Sequence, residues 1–264
     1  PGTSDASSCF GDSVPSLIAT GTNIQWYSDA GLTTPVFTGD TFATGDVAEG
    51  TYTYFATSNS IGCGESSADS ATLTINSLPS APSTTDASNC FGSATGSLTA
   101  SGTNIQWYSD VALTTFVFNG DSFAPVDSSV GTYTYYATQT DSATGCVSAA
   151  DSATLTINAL PSAPVSSDTT VVYGNPVPYL TATGSNVQWY SDLALTALEA
   201  TGNNFSTGDT AVGSYTYYAT QSDSVTGCES SATSATLTIL PGAPTATGTS
   251  SCEGDSVPSL SATG

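Results

Sequence analysis

Six cysteines and 22 carboxylates are the side chains with chemistry to offer, and the chain contains no His, Lys or Arg. A serine or thiol nucleophile therefore lacks a side-chain base, and no basic side chain stands ready for an oxyanion. Paired carboxylates are the remaining route to acid–base chemistry. The candidates Asp40 and Asp46 sit in Gly-rich turns, where Asp commonly hydrogen-bonds its own backbone. No Gly-rich phosphate loop or EF-hand spacing occurs. The pattern predicts a protein that is not an enzyme.

Metal chemistry is equally poorly served. Two cysteines per repeating unit, without a CxxC pair or any His, do not make a zinc site. Calcium bridging carboxylates at junctions is the one cofactor to weigh, but no Asp cluster has a ligand pattern. Solvated or turn Asp is the expectation.

A disulfide framework in an oxidising compartment suits the cysteines better. Cys9, Cys90 and Cys252 lie early in a unit; Cys63, Cys146 and Cys228 follow a Tyr-rich segment. Val172 stands where the third unit would carry its early cysteine. Pairing within units gives Cys9–Cys63 and Cys90–Cys146. Pairing across junctions gives Cys63–Cys90 and Cys228–Cys252. Counting does not separate them, because Val172 removes one bond from each scheme. The within-unit scheme is favoured, since the last strand of a unit carries the chain away from its later cysteine. A closed loop of about 55 residues would then stabilise a unit by roughly 4 kcal/mol.

The net charge of −22 excludes several partners. Nucleic-acid binding depends on Lys and Arg neutralising phosphates, and anionic membrane surfaces would repel this chain. The longest apolar run is a few residues, too short for a transmembrane helix. Ser and Thr supply 87 of 264 residues, so they must form much of the surface. The missing cations fit an exposed extracellular polymer that trypsin-like proteases cannot cut, or a bulk product that saves nitrogen, with a bias inherited by duplicating one ancestral repeat as the alternative.

Internal repetition decides the architecture. "NIQWYSDAGLTT" from Asn23 returns as "NIQWYSDVALTT" from Asn104 and "NVQWYSDLALTA" from Asn186. "GTYTYFAT" from Gly50 returns from Gly131 and Gly213, and "ATLTI" at Ala71, Ala153 and Ala235. Three units are expected at 1–81, 82–163 and 164–243, followed at 244–264 by the N-terminal fragment of a fourth. The fragment suggests a window on a longer polypeptide, with completion by another chain's strand as the alternative. The junctions "LPSAP", "LPSAP" and "LPGAP" each hold two prolines, which favour a stiff connection and hence a rod.

Within a unit the apolar residues alternate with period two and show no helical period. Ile24 and Trp26 share one face, and so do Tyr52, Tyr54 and Ala56, or Leu73 and Ile75. Tyr27, Tyr108 and Tyr190 are expected to face outward or towards a neighbouring strand. Short strands broken by Gly, Asp and Pro predict an all-β fold of tandem sandwiches, about seven strands each.

The order of signals resembles the immunoglobulin arrangement. That resemblance places the core residues Trp26, Trp107 and Trp189 on the third strand, with a tyrosine corner at Tyr52, Tyr133 and Tyr215. The inter-sheet cysteine positions, near Ala19 and Tyr54, are apolar or aromatic instead. Whole units, carried by "CFGDSVPSLIATGTNIQWYSDAGLTT", "GTYTYFATSNSIGC" and "ATLTI", resemble the tandem bacterial Ig-like domains of large secreted and surface proteins of the Bacteroidota. The resemblance implies stalks or spacers of adhesins, gliding-associated proteins and secreted enzymes.

Eleven of the 17 Asp precede Ser or Thr. Several then continue with a small or aliphatic residue, which resembles the O-glycosylation acceptor of the same bacteria. It implies candidate sites at Ser13, Ser70, Ser142, Ser152, Thr210, Ser224 and Ser256. Asp-Ser turn chemistry copied by duplication is the alternative.

Together these features predict a secreted, extracellular or cell-surface structural protein: a rigid acidic stalk segment of a giant repetitive adhesin or filament. Its partners would be further copies of the repeat in a longer chain, with lateral self-association into a filament as an option. A multivalent glycan-binding array and the spacer of a secreted enzyme are the competing readings.

Overall fold

The computed structural model describes residues 1–62 and 64–263, and Cys63 lies outside them. Among the described residues every regular element is a strand. The first repeat contains β1 (Gly2–Ser4), β2 (Ala6–Cys9), β3 (Leu17–Thr20), β4 (Ile24–Tyr27), β5 (Pro35–Thr38), β6 (Thr41–Phe42), β7 (Gly50–Ser60), β8 (Gly64–Glu65) and β9 (Asp69–Asn76).

Two sheets face each other, one in the order β1-β3-β6 and the other β2-β9-β7-β4-β5, with β8 added on β7. Alternation puts Leu17, Ala19, Ile24, Trp26, Phe42, Ala56, Ala71, Leu73 and Ile75 into one buried cluster. Trp26 is fully buried, and its indole N–H donates to the Gly39 carbonyl at 2.9 Å. Gly39 adopts φ 132°, a left-handed conformation that a side chain would resist, and so can turn its carbonyl onto the indole. Trp107 and Trp189 are likewise fully buried, donating to Gly120 at 3.0 Å and Gly202 at 2.9 Å. The third repeat repeats the cluster with Leu180, Ala182, Val187, Trp189, Phe205, Ala219, Ala235, Leu237 and Ile239.

The chain divides into two compact bodies that do not follow the repeat boundaries. One comprises Pro1–Ala87, Thr95–Asp127 and Thr132–Thr156; the other comprises Ser88–Ala94, Ser128–Gly131 and Ile157–Gly264.

The direction of β2 decides where the early cysteine lies. It pairs in parallel with β9, Ala6 opposite Leu73 and Cys9 opposite Asn76. β7 runs antiparallel to β9, with Ala56 opposite Asp69. The loop between β7 and β9 therefore lies at the start of β9, and Cys9 lies at its finish. Eight residues of β9 separate these two ends by about 25 Å. β2 thus carries an early cysteine to the trailing end of its sandwich, although it stands near the start of the sequence.

Candidate functional site

This placement corrects the expected disulfides. Cys9 bonds to Cys146, with Cα atoms 5.6 Å apart, and Cys90 bonds to Cys228 at 5.5 Å. Each bond joins the early cysteine of one repeat to the late cysteine of the next. The expected pairs Cys9–Cys63 and Cys90–Cys146 are therefore replaced, because Cys9 and Cys146 bond each other and Cys90 bonds Cys228. The alternative pairs Cys63–Cys90 and Cys228–Cys252 are excluded by the same bonds, and Cys252 is free and exposed.

The late cysteine is presented by a loop that its own sequence organises. In the second repeat the Asp141 carboxylate accepts the backbone N–H groups of Ala143 and Thr144, both at 2.8 Å. The Cys146 N–H then donates to the Thr144 hydroxyl at 3.3 Å, and Cys146 is fully buried. The third repeat uses Asp223, Val225 and Thr226 to present Cys228 in the same way. The Thr144 and Ala143 N–H groups hold the Asp141 carboxyl below its ordinary range, and those of Thr226 and Val225 do the same for Asp223. Ser148 and Ser230 anchor these loops by accepting the Gln139 and Gln221 N–H groups at 3.0 Å, and Ser66 accepts from Ser58 likewise. Cys146 and Cys228 stand two residues before that serine, but Cys63 stands three before Ser66.

A second contact holds each proline linker. Gln139 donates from Nε2 to the Ser80 carbonyl at 2.7 Å and accepts the Thr103 N–H at Oε1, 2.8 Å away. Gln221 bridges the Ser162 carbonyl at 2.6 Å and the Ser185 N–H at 2.7 Å. Gly102 and Gly184 leave room for these side chains: a Cβ at either would lie 2.5 Å from the glutamine Oε1. In the first repeat Ser58 occupies the glutamine's place.

Carboxylates that looked like turn residues prove to be tyrosine partners. Tyr54 donates to Asp46 at 2.7 Å and Tyr217 to Asp209 at 2.8 Å, and Tyr135 donates to Asp127. Burial, followed by the carboxylate hydrogen bond, pushes Tyr54 and Tyr217 up to about 12 and raises Tyr135 as well. The i, i+8 Asp-to-Tyr spacing was the available signal, but nothing local distinguishes it from a turn Asp. Tyr27 and Tyr190, expected to face outward or towards a neighbouring strand, are buried. Tyr27 donates to Glu65 at 2.6 Å, and Tyr190 donates to Gln188 at 2.5 Å and Glu229 at 3.2 Å. Tyr108 is half-buried and donates to Gln106 at 2.8 Å.

Two of the tyrosines expected at a corner donate to backbone carbonyls just upstream. The Tyr52 hydroxyl donates to the Ala48 carbonyl at 3.0 Å, and Tyr215 donates to Ala211 at 3.2 Å. Tyr133 occupies the same register on its strand Gly131–Thr138. Ser13, Ser70, Ser142, Ser152, Thr210, Ser224 and Ser256 are all exposed. Ser142 and Ser224 directly follow the Asp residues that build the late-cysteine loops. Among the described residues no group of three or more Cys, Asp or Glu is placed to hold a metal ion. No helix among them is long and apolar enough to cross a membrane.

Comparison with curated proteins finds no match. Among solved structures, the Clostridium thermocellum CbhA fibronectin(III)-like modules align at 16% identity and TM-score 0.37, covering 62% of this chain and 92% of that one. Sidekick-1 immunoglobulin domains 1–5 align at 14% identity and TM-score 0.29, covering 90% and 58%. Human CDH23 EC21-23 aligns at 12% identity and TM-score 0.26, covering 89% and 96%. The sequence profile described as "Ig-like domain CHU_C associated" matches three times in tandem, over residues 1–76, 79–159 and 161–241. The chain is a tandem array belonging to the CHU_C-associated Ig-like domain family.

Proposed function

We propose that this chain is a segment of a rigid, acidic stalk in a large repetitive surface adhesin or extracellular filament of the Bacteroidota. Its units are the repeats 1–81, 82–163 and 164–243, with 244–264 opening a fourth. The observation that carries this reading is the doubled junction. Cys9–Cys146 and the Gln139–Ser80 bond act across the first linker, while Cys90–Cys228 and Gln221–Ser162 act across the second. Disulfides persist in oxidising compartments, which supports an extracellular or cell-surface location. Exposed Asp-Ser/Thr sites support O-glycosylation there, read out as a hexose or deoxyhexose mass increment on peptides containing Ser142 or Ser224.

Negative-stain microscopy of the native material with and without reductant tests the stalk. The expected result is thin threads that lose their straightness in reductant. Flexible, collapsed chains under both conditions would contradict it.

One observation favours a second reading, lateral self-association. The edge strands Pro35–Thr38 and Phe116–Asn119 are exposed along their whole length, carrying Val36, Phe37, Phe116, Val117 and Phe118. Exposed apolar edges are templates for pairing with another chain. Sedimentation velocity across a concentration series distinguishes the two, because association abolished by V36K and V117K would place the filament contact on these edges. The glycan-array and enzyme-spacer readings have no such observation behind them; a glycan screen with no saturable ligand is expected.

A further inference from the structure

We propose that the two disulfides act as one interlocked extension stop, in which each bond backs up the other. The inference stands apart from the stalk reading, since it rests on covalent connectivity alone. The Cys9–Cys146 loop and the Cys90–Cys228 loop overlap over residues 90–146. Disulfides placed inside successive repeats would form separate loops with no such overlap.

The overlap has two consequences. First, every single backbone cut between Cys9 and Cys228 leaves both pieces joined, because at least one disulfide spans it. Second, the shortest covalent route between the chain ends runs from Pro1 to Cys9, crosses to Cys146, returns along the backbone to Cys90, crosses to Cys228 and continues to Gly264. That route is about 100 residues, so complete unfolding under tension extends the oxidised chain to roughly 350 Å. The open chain of 264 residues reaches roughly 900 Å, about 2.6-fold further.

Breaking one disulfide lengthens the route by only about 25 residues, roughly 90 Å, because the other still short-circuits most of the chain. Breaking both releases roughly 550 Å. The loss is strongly non-additive, as expected of a fail-safe. Cys146 and Cys228 are fully buried, so the folded repeats shield one sulfur of each bond from soluble thiols.

Force spectroscopy on the whole chain, tethered by its two ends, tests the proposal. The background carries Cys63→Ser and Cys252→Ser so that only the paired sulfurs remain. The expected contour lengths are roughly 350 Å oxidised, roughly 90 Å more for Cys9→Ser or Cys90→Ser alone, and roughly 900 Å in reductant. The full contour is read on the unfolded chain, so a destabilised variant still reports it. Equal lengths with and without reductant would overturn the proposal. So would single substitutions that each release about half of the total slack, the signature of separate loops. Limited proteolysis gives a second readout without any substitution. A chain nicked once between Cys9 and Cys228 should keep its full mass on a non-reducing gel and divide only in reductant. Division without reductant would refute the interlock.

Discussion

Cys9 and Cys146 stand 137 positions apart in sequence and belong to successive repeats, yet their Cα atoms lie 5.6 Å apart. The relationship arises because parallel pairing of β2 with β9 takes Cys9 to the trailing end of the first sandwich. The chain enters the second sandwich beside Asp151, whose carboxylate accepts the Thr84 N–H at 3.0 Å, and the Cys146 loop lies next to that point. Two positions that are far apart in a repeat become neighbours across a junction.

Removing this bond should destabilise the first body substantially. Opening a loop of 137 residues costs up to about 5 kcal/mol in the chain-entropy description. Cys9→Ser should therefore lower the first thermal transition, and wild type reduced while unfolded and then refolded should show the same lowering. An unchanged transition would mean that the bond does not constrain the unfolded chain.

The linker contact separates into two halves by substitution. Gln139→Glu keeps an oxygen for the Thr103 N–H but loses the donor to the Ser80 carbonyl. Loss of that single bond is expected to cost about 1 kcal/mol, with faster amide exchange confined to residues around the linker. Gly102→Ala should have a larger effect, because its Cβ would lie 2.5 Å from Gln139 Oε1 and displace the side chain.

Val147 offers a gain. Thr57 and Thr220 donate to Glu65 and Glu229, each at 2.5 Å, whereas the buried Thr138 hydroxyl has no partner among the described residues. Val147 stands where those repeats carry the glutamate, and it is 44% exposed. Val147→Glu should supply the missing acceptor and raise the stability of the first body by about 1 kcal/mol. A chemical-denaturation midpoint that moves downward would contradict this.

The pH dependence has two edges. Hydrogen bonds from Thr114 and Thr115, the Thr114 N–H foremost, bring Asp110 down to about 2. Asp29, Asp141, Asp192 and Asp223 are lowered by backbone or hydroxyl donors in the same manner, and Glu65 by Thr57 and Tyr27. A depressed carboxyl contributes stability above its unfolded value and loses it as pH falls through the folded one, so stability should decline from about pH 4 towards pH 2. Tyr54 and Tyr217, raised to about 12, act at the other edge. Their contribution is complete below pH 10 and disappears as pH rises towards 12. Acid and alkaline unfolding, followed by tryptophan emission and tyrosinate absorbance, checks both windows. Relief of self-repulsion near pH 4 should at the same time increase light scattering by associated chains.

Much of the fold was legible because it is written locally. Alternation at Ile24 and Trp26, or at Leu73 and Ile75, identifies a buried face without knowledge of any partner. The disulfide partners were not legible, since they depend on which end of a sandwich each cysteine reaches. That is decided by the parallel Cys9–Asn76 register, a contact between residues 67 positions apart. Sequence order alone suggests that an early cysteine sits where the chain enters, and β2 reverses this. The left-handed backbone at Leu32, Leu113 and Leu195 was equally hidden. Leucine does not signal such a turn; the Asp three residues earlier holds it, as where Asp29 accepts the Thr33 N–H at 3.0 Å and the Thr34 N–H at 2.7 Å.

Peptide mapping under non-reducing conditions tests the cross-repeat disulfides most directly. Trypsin has no site in a chain without Lys or Arg, so chymotrypsin and a Glu- or Asp-directed protease are needed. One cross-linked species joining the peptides of Cys9 and Cys146 is expected, and a second joining those of Cys90 and Cys228. Recovery of Cys9 with Cys63, or of Cys90 with Cys146, would contradict it.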